Sequence, residues 1–334
     1  MSQSSESLPP VCTGKVTPPW FVRFGERTHP LLLPLGVVAV LAVPFFLLDQ
    51  RDSLFPGYGM SKRQILGTGL LFSLLPGYTL LAQFYTWRIA RSTVNAFAPL
   101  TPPTAASVRV SALSRPGWWF LPVVLLGGLW GSNEVSHLSW LTNFVNETGF
   151  DLWFRFMAAV SWVLIFWMLC WRLQCSIAMY HLGRQLQTDV YRLHGLGEFV
   201  RLPLVHLLVV VGGLVLLPLQ SLDFQLRWIN YRSGLFVGLP AMLLLVLPPI
   251  WGLHNNMRDR ITARLSELQT SIEGCDRNDF AQLALLVEHR ETVRGFPSWP
   301  LDVGLVGKLV LYLIIPPLAW VAAALVERAV DTLV

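Results

Sequence analysis

Seven stretches of this chain are apolar for long enough to cross a membrane, and nothing else constrains its fold as strongly. A helix through hydrocarbon needs about 17–25 mostly apolar residues. The runs 31–49, 65–87, 117–133, 153–172, 203–221, 235–254 and 303–326 meet that length. The third is short and rich in Gly. None shows the apolar–polar alternation of a membrane barrel strand, so each is expected to be a helix whose backbone bonds close within itself. The expected class is all-α: a polytopic membrane protein of seven transmembrane helices.

Composition supports that reading. Hydrophobic residues make up 53% and charged residues 13%, where a soluble domain carries about a quarter charged. The 14 Trp suit a chain with many membrane–water interfaces. The formal charge of +5 is therefore read loop by loop and not as a nucleic-acid footprint. Of the 25 basic residues only Lys15, Lys62 and Lys308 are lysines, a bias that base composition of the genome explains.

Basic residues orient the spans. The second loop carries Arg88, Arg91, Arg109 and Arg115 without an acid, and the third carries Glu134, Glu147 and Asp151 without a base. With the second loop inside, the N-terminus is expected inside and the C-terminus outside, in an inner cell membrane. Lys62 and Arg63 dissent. Cys12, Cys170, Cys175 and Cys275 then fall near the inner side, where thiols stay reduced. Residues 1–20 are rich in Ser, Pro and Thr and lack the basic start and cleavage site of a signal peptide, so the first run is expected to be retained. The expected organisation is a disordered or interfacial tail over 1–30, helices one to six over 31–254, a cytoplasmic hairpin over 255–300, and the last helix with a short outer tail over 301–334.

The hairpin follows from periodicity. After the sixth run the apolar residues Ile250, Leu253, Met257, Ile261, Leu265, Leu268 and Ile272 recur every three or four positions up to Gly274. Asn278 or Asp279 can cap a return helix with Phe280, Leu283, Leu286, Val287 and Val293 on its apolar side, ending near Gly295. At ~1.5 Å per residue the arms measure about 28 Å and about 24 Å. Two helices alone bury two apolar stripes poorly and need another layer. One source is the fourth run, whose stripe continues through Cys175, Met179, Leu182, Leu186, Val190 and Leu193. That overrun must bend, lie along the membrane, or meet a fifth helix that starts below it. The other source is the hairpin of a second copy, with Met257, Ile261, Leu265, Leu268 and Ile272 as its contacts. A cytoplasmic protein is the remaining candidate to cover the hairpin.

Chemistry-bearing groups are sparse. None of the spans has an Asp or Glu at its centre, where coupled transporters place ionisable groups. His181, His206 and His254 lie near the inner ends of their runs at no metal-motif spacing, and read as interfacial histidines. No HExxH, GxSxG or GxxxxGK[ST] motif is present. A non-enzymatic protein without cofactor or metal is expected, with the bilayer and copies of itself as partners. Prolines are the unusual feature. Pro248-Pro249 falls in the sixth run and Pro316-Pro317 in the last, within YLIIPPLAW. Each pair removes backbone donors and leaves carbonyls that must face protein or a water-filled path. Lys308, Tyr312, Pro316 and Pro317 are the expected pore or gate residues of the last helix.

The stretch from LHNNM through the hairpin to FPSWPLDVGLVGKLVLYLIIPPLAWVAAALVERAVD resembles a prokaryotic membrane-protein family of unassigned function. The overall plan is similar to the insect gustatory and odorant receptor channels. Those are tetramers whose final helix lines a pore above a cytoplasmic anchor of packed helices. Their C-terminal Thr-Tyr and Gln-Phe motif is absent, since this chain ends in LVERAVDTLV, and no family residue is carried over. The plan implies a homo-oligomeric, channel-like assembly; the alternative is a non-conducting scaffold or sensor subunit whose hairpin docks a partner.

Overall fold

A computed structural model describes residues 18–48, 62–97, 117, 120–136, 149–186, 197–221, 228–275, 279–296 and 299, together with 307, 310–312, 314, 315 and 318. The described residues are helical, in the order α1 (Trp20–Arg27), α2 (Leu32–Leu47), α3 (Lys62–Phe97), α4 (Leu121–Ser136), α5 (Gly149–Gln185), α6 (Gly197–Val215), a 3-10 turn (Leu217–Ser221), α7 (Trp228–Glu273) and α8 (Phe280–Arg294). Among them, four helices are long and apolar enough to cross a membrane, and five if the bent pair α1–α2 is one broken span. The lengths and composition are compatible with a protein built into a bilayer.

Seven expected spans thus reduce to four or five among the described residues. The third expected span is a shorter apolar helix, Leu121–Gly131. Its Gly127, Gly128 and Gly131 lie against Phe166, Val163 and Trp162 of α5, so closely that a Cβ at any of them meets those side chains. The first run is the sixteen-residue α2, joined to α1 at 109°. Part of the expected tail is ordered, because Phe21, Val22 and Gly25 bury one face of α1 while Trp20 stays exposed. The last expected span lies largely outside the described residues.

The spanning helices overrun their apolar runs. In α3 the residues Trp87, Ala90, Val94 and Phe97 keep a helical repeat and stay buried, which carries the helix ten residues past the expected end. Arg88 and Arg91, assigned to a loop by sequence, instead lie on this extension with their guanidinium groups over the Phe84 and Trp87 rings, 5.6 Å and 5.4 Å from the centroids. The described part of the α5 overrun ends at Gln185, while Val190 and Leu193 lie outside the described residues. The next helix, α6, begins at Gly197, ahead of the expected start of the fifth span at 203, as the third of the three open routes requires. One apolar cluster then joins Phe84, Trp87, Val94 and Phe97 of α3, Met179 and Leu182 of α5, Leu186 just beyond it, Phe199 and Leu202 of α6, and Leu253 and Met257 of α7.

Helix α5 is the hub: α2, α3, α4 and α7 all pack on it. Helix α7 is a single helix of 46 residues that contains Pro240, Pro248 and Pro249 and continues to Glu273. The turn after it follows the expected chemistry. The N–H of Gly274 donates to the carbonyl of Thr270, and the Asp279 carboxylate accepts from the N–H of Gln282 at 3.1 Å. The return helix α8 packs back along α7, burying Val293.

Candidate functional site

Prolines inside helices α3 and α7 release specific carbonyls, and α5 supplies the donors that take them. A helical proline cannot donate to the carbonyl four residues earlier. Pro76 releases Phe72, whose carbonyl accepts from Ser161 Oγ at 3.1 Å. Pro248 and Pro249 release Leu244 and Leu245, whose carbonyls accept from Ser176 Oγ at 3.4 Å and 2.9 Å. The expectation that such carbonyls face protein or a water-filled path resolves here toward protein. Other buried hydroxyls are engaged within their own helix, Thr68 with Gln64 O, Ser73 with Gly69 O and Thr86 with Ala82 O.

One buried side chain stands apart. Arg172 is 1% exposed, and its Nε, Nη1 and Nη2 have no hydrogen-bond partner. Tyr78, Cys175 and His206 are close enough to interact with its charge. His206 is also 1% exposed, with neither ring nitrogen bonded. Tyr78 is wedged between α3 and α6, where its hydroxyl donates to the Val209 carbonyl at 2.8 Å. From Lys62 to Phe97, from Leu152 to Gln185, from Phe199 to Gln220, and in α7 before Asp259, the described helices carry no Asp or Glu. The site is therefore a fixed positive charge with a neighbouring imidazole and phenol and no acid on the surrounding helices. Beside Tyr78, Met168 and Leu169 lies an apolar cavity of about 80 Å³, lined also by Thr79, Val209 and Val210.

In the sequence Arg172 is the last residue of the fourth apolar run, 153–172, where it carries no motif. The signal was there: the apolar stripe Cys175–Met179–Leu182–Leu186, stepped back by three, lands on Arg172, and by four more on Met168. A cation in register with a buried stripe is a buried cation.

At the inner end of α5 the polar groups are matched. Asn256 of α7 is buried, and its Nδ2 donates to the carbonyls of Gly183 and Leu186 at 2.8 Å and 2.9 Å. Arg260 donates from Nη2 to Leu186 O at 2.8 Å and from Nε to Asn256 Oδ1 at 3.0 Å. These are the terminal carbonyls that a helix end leaves open. The two helices approach closely there because Gly252 faces the Tyr180 backbone, with no space for a Cβ. Nearby, the His254 ring stacks on Trp299 at 4.0 Å, Trp251 lies edge-on to both, and His181 meets Tyr180. His181, His206 and His254 are not gathered into one centre, and among the described residues no group of His, Cys, Asp or Glu forms a metal site.

The residues expected at a gate are only partly described. Lys308, Pro316 and Pro317 lie outside the described residues. Tyr312 is half-buried and packs, with Ile315, on the cluster of α6 and α7 that includes Leu207, Val211 and Met242. The expected oligomer stripe divides: Met257 and Leu268 are buried within the chain, while Ile261, Leu265 and Ile272 remain half-buried. On the return helix Phe280 is 76% and Leu285 68% exposed. Comparison with models of protein families, with curated proteins and with solved structures gave no match.

Proposed function

We propose that this integral membrane protein assembles with copies of itself through its hairpin into a channel-like oligomer, with the last helix at the shared centre. The observation that carries this reading is the uncovered apolar surface of the hairpin, where Phe280 and Leu285 are largely exposed and Ile261, Leu265 and Ile272 only half-buried. The segment lies past the apolar part of α7, among Arg258, Asp259, Arg264 and Glu267, so it belongs in water. Apolar surface in water marks a contact, and a second copy is its simplest complement, since a closed symmetric pairing buries the same face on both partners. Lys308, Tyr312, Pro316 and Pro317 would then line or gate the central path.

A second reading has one observation in its favour. The carbonyls released by Pro248 and Pro249 are taken by Ser176, so α7 offers no polar path there. That suits a non-conducting scaffold or sensor subunit whose hairpin docks a cytoplasmic protein. Oligomer mass separates the two. Native mass spectrometry of the purified protein in nanodiscs should give a closed homo-oligomer, and Leu265→Asp combined with Ile272→Asp should reduce it to monomer without blocking membrane insertion. A monomeric wild-type chain, or a mass unaltered by the double change, overturns self-assembly through the hairpin.

A further inference from the structure

We infer that Arg172, with His206 and Tyr78 beside it, is a buried binding site for a small inorganic anion, a halide or a compact oxyanion such as nitrate. The inference is independent of whether copies of the chain assemble. It starts from a charge that cannot be shed, because a guanidinium remains protonated in proteins. Burying such a group without acceptors is strongly unfavourable. Among the described residues no acceptor is bonded to any nitrogen of Arg172. The surrounding helices carry no carboxylate in this region. The carbonyls of Phe72, Leu244 and Leu245, which prolines release, are taken by Ser161 and Ser176. The Val209 carbonyl beside the site is taken by Tyr78. Three nitrogens of one cation and both nitrogens of a neighbouring imidazole are left over, and a neutral imidazole brings one N–H donor beside its one acceptor nitrogen.

Donors without acceptors around a fixed positive charge are the complement of an anion. Enclosure sets its size. With Arg172 and His206 each 1% exposed, a lipid phosphate with its acyl chains or a dicarboxylate is too large, and the candidates reduce to a single halide or planar nitrate. Nitrate also matches the planar fork of the guanidinium, which favours two parallel hydrogen bonds. An apolar cavity of about 80 Å³, lined by Tyr78, Met168 and Leu169, lies one helical turn from Arg172 along α5.

The test uses the full chain in nanodiscs of neutral phosphatidylcholine, which contribute no anionic headgroup, in gluconate buffer. Radiolabelled chloride is measured by equilibrium dialysis, with nitrate as competitor. Wild type should bind chloride saturably, one per chain, and nitrate should displace it. Arg172→Met should weaken binding roughly tenfold to a hundredfold, as expected for lost charge-assisted hydrogen bonds. His206→Phe should weaken it by a smaller factor. Absence of saturable chloride or nitrate binding to wild type overturns the inference, since water then meets these donors. Undiminished binding in whichever of the two variants folds overturns it equally.

Discussion

Two arginines on neighbouring parts of the bundle meet opposite fates. Arg260 sits where α5 ends and donates to Leu186 O and Asn256 Oδ1. Arg172 sits inside α5, nearly four turns earlier at ~3.6 residues per turn, and its nitrogens have no acceptor among the described residues. Both are cations held against apolar clusters. The difference is which backbone each faces. A helix end leaves its last carbonyls open, and an arginine or asparagine arriving there finds acceptors ready. A helix interior offers fewer, and the carbonyls that Pro76, Pro248 and Pro249 release are taken by Ser161 and Ser176. The contrast separates a structural joint from a buried charge that has no bonded acceptor among the described residues.

Breaking the joint should have the largest effect. Asn256→Leu removes two buried hydrogen bonds and the acceptor for Arg260, leaving the Gly183 carbonyl without its donor. A loss of about 3 kcal/mol is expected, from the roughly 1–3 kcal/mol per buried group left unsatisfied. Thermal unfolding in detergent measures it, and hydrogen exchange should rise near residues 183–186. An unchanged melting temperature would mean that water caps the end of α5 equally well. Next in size is Ser176→Ala, which returns the Leu244 and Leu245 carbonyls to an unsatisfied state. It should lower stability by about 1–2 kcal/mol, and Ser161→Ala by less, because Ser161 serves the Phe72 carbonyl alone. If both serine variants are neutral, the carbonyls released by Pro76, Pro248 and Pro249 do not need the hub helix. The smallest effect belongs to Asp259→Asn. The Arg184–Asp259 pair spans 3.6 Å with both side chains well exposed, so chemical denaturation should shift by no more than about 0.5 kcal/mol.

The features legible in the sequence were those written locally. Met257 through Ile272 announced a helix by spacing alone, Gly274 and Asp279 marked its turn, and the hairpin follows them. The meeting of α5 and α6 was legible as one of three options but undecided, because the start of a helix at Gly197 depends on Phe199 and Leu202 finding Leu182 and Leu186, a contact between distant segments. Span counting was less secure. A window of apolar residues cannot distinguish a helix that crosses alone from the shorter α4, which lies against α5 on a stripe of glycines. Arg88 and Arg91 read as loop residues, and Arg172 as unremarkable, for one reason: residue type outweighs register in a window of composition. The first two lie on the α3 extension over aromatic rings, and the third lies in the buried stripe itself. The serine–proline pairing was invisible in principle, since Ser161 and Phe72, or Ser176 and Leu245, are joined only by packing.

The unbroken length of α7 has a mechanical consequence. One rod carries both the membrane segment and the outgoing arm of the hairpin, with Pro248-Pro249 as its weak point and Ser176 as the pin that holds it. From Pro249 to Glu273 the arm is about 36 Å long at ~1.5 Å per residue. A tilt of about 10° at the pin therefore swings the tip about 6 Å sideways, more than the pitch of one helical turn. The hairpin and the bundle are the two ends of a lever, and force applied to either end is delivered to the helix interface where Ser176, Gly252 and Asn256 lie.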